Sequence, residues 1–146
     1  MYGASIDNTL AGRVSPQDPS VLAGMKGTLP DPGNDVFVKR LREANPGLGD
    51  LNYAAQGYDA VVVITLAAAL ARTDAPAAIA QGINGVTRAG EKCTSFAACM
   101  TLVKDGKDIA YDGSSGPLEF TDAGEPRSAT YLIGEFQADG TMKTRR

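Results

Sequence analysis

The chain has 146 residues, 43% hydrophobic, 21% charged and 6% aromatic, with a net charge of −3. That size and polarity suit one globular body with a buried core and argue against disorder. A pI near 4.9 leaves no basic face for nucleic acid, and the absence of histidine removes the commonest general base and metal ligand.

Residues 1–30 read as strand and loop, broken at Asp18, Pro19, Ser20 and Gly24, with a short strand over 25–29. Pro30-Asp31-Pro32-Gly33-Asn34 is a breaker cluster. A helix follows over 35–44. Asn34 suits its N-cap, Asp35 complements the positive helix start, and Phe37, Leu41 and Ala44 share a face. Asn45-Pro46-Gly47 ends it. The next helix covers 53–71. Its centre, 61–70, is apolar all round apart from Thr65, the pattern of a helix buried on most sides. The apolar stretch 60–70 is shorter than the roughly 17–25 residues of a membrane span. Pro76 opens a short helix to about residue 80, ended by Gly82 and Gly85.

A further helix spans 94–104, with Phe96, Met100 and Val103 on one face and Asp105-Gly106 at its end. Segments 118–120 and 128–136 then read as strands joined by the turn 121–126. Asp139-Gly140 signals a tight hairpin with a return strand at 141–142. Helices and strands followed by a β-meander imply an α/β fold with an antiparallel β tail.

Cys93 and Cys99 stand six apart and match no metal-ligand spacing. They read either as a disulfide or as two inert buried thiols. Within one helix their spacing is about 9 Å of rise, beyond the roughly 7 Å that a bridge tolerates. A bridge therefore requires Cys93 to precede the helix, with Thr94 or Ser95 as its cap.

The run Tyr111-Asp112-Gly113-Ser114-Ser115-Gly116-Pro117-Leu118-Glu119-Phe120 is followed by Gly124, Pro126, Ala129, Tyr131 and Asp139-Gly140. It resembles the C-terminal end of type I periplasmic solute-binding proteins of the leucine/isoleucine/valine-binding kind. Gly57-Tyr58-Asp59-Ala60-Val61 resembles that family's Tyr-Asp-Ala helix, and Gly24-Met25-Lys26-Gly27-Thr28 its Gly-Val-x-Gly-Thr strand. The segment from Cys93 to Cys99, with Ser95-Phe96, is similar to actinobacterial members. These motifs run in family order along nearly the whole chain. The chain has less than half of a member's length, so Met1 reads as an internal start, an artificial boundary or the start of a truncated gene, with the family's N-terminal segments as missing partners.

The resemblance implies the C-terminal portion of a two-lobed periplasmic-binding-protein type I fold. Residues 1–28 would end one lobe, 29–33 would cross a hinge, and 34–111 would belong to the other lobe. Residues 112–116 would cross back, and 117–146 would form the β tail of the first lobe. The implied function is that of the substrate-binding component of an ABC importer, closing on a branched-chain amino acid or similar small polar solute. Its partner would be the importer's membrane permease. No catalytic residue, metal or cofactor is implied. Residues 1–5 lack the basic start and apolar run of a signal peptide, which taken alone suggests the cytoplasm. The resemblance implies instead an extracytoplasmic protein, anchored or not through the missing N-terminal part.

An amino acid is a zwitterion, needing acceptors for its ammonium and donors for its carboxylate. The family takes the ammonium contact from the loop after a Tyr-Gly strand. Here that loop holds Ser5 at the matching position and Asp7 two residues later. Tyr58 matches a tyrosine that points from a helix start into the family's cleft. Each has a structural alternative: Asp7 as a cap ahead of Thr9-Leu10-Ala11, Tyr58 as a packing ring, and the adjacent Asp59 as a first-turn helix charge. Glu119, Asp122 and Glu125 surround a Gly-Pro turn and read as solvated, not as an acid–base pair. Two other readings are the ligand-sensing domain of a receptor or amide-responsive regulator with the same fold, and, from another class, an α/β hydrolase.

Overall fold

A computed structural model describes every residue except Met1, Ala4, Ser5, Asn8 and Arg146. Ser5, an expected ligand contact, thus lies outside the described residues. In chain order the elements are β1 (Tyr2–Gly3), α1 (Leu10–Val14), a 3-10 turn (Pro19–Leu22), β2 (Lys26–Pro30), α2 (Asp35–Ala44), α3 (Ala54–Ala71) and α4 (Pro76–Gly82). A second 3-10 turn (Gly85–Thr87), β3 (Glu91–Cys93), α5 (Phe96–Lys104), β4 (Ile109–Gly113), β5 (Gly116–Pro117), β6 (Tyr131–Phe136) and β7 (Met142–Arg145) follow. The architecture is α/β, with β6 and β7 forming an antiparallel tail. The chain divides into two compact units, Met1–Asp31 with Thr130–Arg146, and Pro32–Ala129.

The first unit is a four-stranded sheet in the order β1-β2-β6-β7. β1 and β2 are parallel; β2 with β6 and β6 with β7 are antiparallel. Alternation sends Leu29 and Phe136 to one face, where they meet Ile6 and Ala11 as a small core. Gly134 stands over this core, and a Cβ there would fall 2.6 Å from Met142 Sδ and 2.7 Å from Leu29 Cδ1. On the opposite face Tyr131 is 57% exposed, Ile133 is exposed, and Lys26 pairs with Glu135 at 3.3 Å. The hairpin expected at Asp139-Gly140 is present. Gly140 has φ +79°, and the Asp139 carboxylate accepts the Thr141 N–H at 2.9 Å.

The second unit is built on α3. Its buried residues Val62, Val63, Leu66 and Ala67 form a core with Val86, Ile109, Tyr111 and the two cysteines. β3, β4 and β5 make a small mixed sheet beside it. Contrary to expectation, α3 is not buried on most sides: Val61 is 64% and Ile64 48% exposed, and Leu70 is also exposed. Its buried residues are Ala55, Asp59, Val62, Val63, Leu66 and Ala67. The full helix, 18 residues with mean hydropathy 1.6, is long and apolar enough to cross a membrane, yet it serves as the core helix of this unit.

Cys93 closes β3 and Cys99 lies in α5, and the two form a disulfide with Cα atoms 5.2 Å apart. Ser95 caps α5 by accepting the Ala98 N–H at 3.2 Å. Asn34 caps α2, accepting the Phe37 N–H at 2.9 Å.

Residues 118–120, expected as a strand, make only an isolated bridge between Phe120 and Pro126. The Phe120 N–H donates instead to Thr87 Oγ1 at 3.1 Å. The tail strand begins at Tyr131 rather than 128. Residues 112–129 all belong to the second unit, and the chain returns to the first between Ala129 and Thr130. The Thr87 bond, the Arg88–Asp122 ion pair at 2.7 Å, and Leu118 and Phe120 against the core hold 118–122 there.

Candidate functional site

Tyr53, with φ 60°, turns the chain into α3, and Tyr58 follows in the second helical turn. Its ring meets that of Phe37 on α2 with centroids 5.3 Å apart and planes at 55°, a favourable tilted pair. Tyr58 remains 37% exposed. Beside the pair lies a shallow open depression of about 380 Å³, lined by Phe37, Arg40, Leu41, Glu43, Ala44 and Tyr58. It combines an aromatic floor with one guanidinium and one carboxylate. Those groups can meet the aliphatic body, carboxylate and ammonium of a small zwitterion.

Asp59, one residue on, points the other way and is 1% exposed. Its Oδ1 accepts the Tyr111 hydroxyl at 2.7 Å and the Ser114 N–H at 2.9 Å. Its Oδ2 accepts the Ser115 N–H at 2.7 Å and the Ser115 hydroxyl at 2.6 Å. Asp59 is therefore not the first-turn helix charge expected: it lies in the second turn of α3 and is a buried acceptor with four donors. Helical spacing puts Asp59 on the face of Ala55, Val62, Val63 and Leu66, but only the structure shows that this face is the buried one, where a carboxylate must be hydrogen-bonded. Burial first, then the bond to Asp59, pushes the Tyr111 phenol well above its ordinary value, so it stays a donor.

Asp7 lies in the first unit. Its Oδ1 accepts the Thr9 N–H at 2.7 Å and the Thr9 hydroxyl at 2.5 Å, and its Oδ2 pairs with Arg13 at 2.9 Å. These bonds, those from Thr9 foremost, hold its carboxyl below the usual 3.8. Asp7 thus closes a local turn, while the N-cap of α1 is Thr9, with no side-chain cap bond.

The acidic residues around the 121–126 turn do not converge. Asp122 pairs with Arg88 at 2.7 Å and Glu119 with Arg127 at 3.1 Å. Among the described residues no group of three or more acidic or cysteine side chains is placed to hold a metal ion.

No protein-family model matches the chain. It is similar to the chemotactic signal transduction system substrate-binding protein BasB of Halobacterium salinarum, 31% identical over 150 residues. The match covers 99% of this chain and 35% of that protein, so the chain spans about a third of the length of this relative.

Proposed function

We propose that this chain is part of an extracytoplasmic solute-binding protein of the type I periplasmic family. Its ligand is a branched-chain amino acid or a similar small polar solute. The observation that supports this reading is the match to a substrate-binding protein over 99% of the chain. The order of the Gly-Met-Lys-Gly-Thr, Tyr-Asp-Ala and Gly-Pro-Leu-Glu-Phe motifs supports the family. Tyr58 and Phe37 offer an apolar wall, with Arg40 and Glu43 beside it for the charged ends of the solute. In the family's pattern the ammonium contact falls at Ser5, with Asp7 two residues later. The work is capture and presentation, with no bond made or broken. The receiving partner is the membrane permease of an ABC importer.

A second reading is favoured by one specific observation: the relative's name places it in a chemotactic signal transduction system. In that case the loaded protein reports to a receptor. Permease and ATPase genes beside this one support transport, and receptor genes support sensing.

The affinity test is calorimetry with leucine, isoleucine and valine on the 146 residues. A ligand pocket normally encloses most of its ligand, and the depression at Tyr58 is open. The expected dissociation constant is no tighter than about millimolar, equivalent to about −4 kcal/mol. Micromolar binding would overturn the claim that these residues supply only part of the enclosure.

A further inference from the structure

Asp59 is a buried carboxylate that accepts from Tyr111 on β4 and from Ser114 and Ser115 in the loop after it, more than fifty positions along the chain. Two successive backbone N–H groups, at Ser114 and Ser115, close on its two oxygens. The approach is close enough to dictate a neighbour: a Cβ at Gly113 would lie 2.2 Å from Asp59 Oδ2. The same loop is closely approached from a second side. A Cβ at Gly33 (φ +106°) would meet Ser114 O at 3.1 Å and Phe37 Cδ1 at 3.0 Å, and Phe37 is the ring partner of Tyr58. Gly33 thus leaves no room for a side chain between the 113–115 segment and Phe37, the ring partner of Tyr58.

We infer that Asp59 is a positioning residue that fastens the 113–115 segment to the helix carrying Tyr58, so that displacement of one displaces the other. The fastening is independent of what Tyr58 binds. Charge-assisted bonds to backbone N–H groups are among the stronger hydrogen bonds, and here they are shielded from water. The segment lacks the long ladder of a sheet, since β5 has two residues, so the carboxylate supplies the order that strand pairing does not.

Two experiments on the 146-residue chain test this. In the first, Asp59→Asn keeps the side chain's size but turns one acceptor into a donor facing N–H groups. Amide exchange at Ser114 and Ser115 should rise at least about tenfold, as expected from losing bonds to a charged acceptor. The NMR resonance of isotope-labelled Tyr58 should shift, while amides of Tyr131–Phe136 in the other unit keep their rates. Tyr111→Phe removes one donor only and should leave both serine amides protected. In the second, Gly113→Ala places a methyl into the carboxylate, and Asp59→Ala removes the three atoms nearest to that methyl. The loss of melting temperature from Gly113→Ala should fall by half or more in the Asp59→Ala background. Unchanged exchange at Ser114 and Ser115, an unmoved Tyr58 signal, or an equal Gly113→Ala loss in both backgrounds overturns the inference. If Asp59→Ala does not fold, the Asp59→Asn exchange and the Tyr58 resonance decide.

Discussion

Three aspartates show how one side chain takes different work from its surroundings. Asp7 and Asp139 each accept from the residue two positions on, forming local turns. Asp59 is carried by helix geometry to a buried face and accepts from distant donors. The local roles can be read from neighbours in sequence, and the distant one only by asking which side of α3 is covered. Caps belong to the local kind. Asn34→Ala should destabilise the second unit by about 1 kcal/mol, the usual cost of losing an N-cap acceptor. Urea unfolding checks this, and an unchanged midpoint would contradict it. The carboxyls of Asp7, Asp122 and Asp139 are all held below the usual 3.8, mainly by hydrogen bonds. A lowered folded value means that the stabilisation is complete above the unfolded value and is lost as pH falls through the folded one. Urea midpoints should therefore drop on going from pH 6 to below the usual carboxylate value of 3.8. A flat profile there would show that these bonds do not persist in solution.

At the scale of elements, legibility followed the strength of local signals. α2 was readable to the residue because Asn34 and Asn45-Pro46-Gly47 bracket it. The hairpin at Asp139-Gly140 was readable because its turn chemistry is nearly unique. β3 and β4 were not, since three and five residues carry too little alternation, and β4 begins with three buried residues in succession. The 118–120 segment has strand-like residues but no edge to pair with, and Thr87 claims its N–H. The exposure of α3 was illegible for a different reason: an all-apolar stretch does not say which side is covered. The disulfide was readable as permitted geometry, and Ser95 supplies the cap that lets Cys93 stand before the helix. Reducing it, or replacing both cysteines by serine, should cost about 2 kcal/mol on the chain-entropy scale for so short a loop. Thermal unfolding with and without reductant measures the loss, and coincident curves would exclude a stabilising role for the bridge.

At the scale of the whole molecule, each unit leaves an apolar face uncovered: Tyr131 and Ile133 on the sheet, and Val61 and Ile64 on α3. Exposed apolar patches favour association. Light scattering of the purified chain should show concentration-dependent self-association, reduced by Val61→Lys with Ile64→Glu at unchanged melting temperature. A clean monomer at high concentration would contradict this. The α/β architecture was evident from the order of elements. The role of Tyr58, by contrast, rests on the motif around it, and the structure adds its exposed edge, its Phe37 partner and the adjacent depression. The central claim is that this face takes part in holding a small polar solute. Backbone chemical-shift mapping during titration with leucine, isoleucine and valine tests it most directly. The account predicts saturable millimolar shifts centred on Tyr58, Phe37 and Arg40. Shifts confined to other residues, or none at all at the highest soluble ligand concentration, would contradict it.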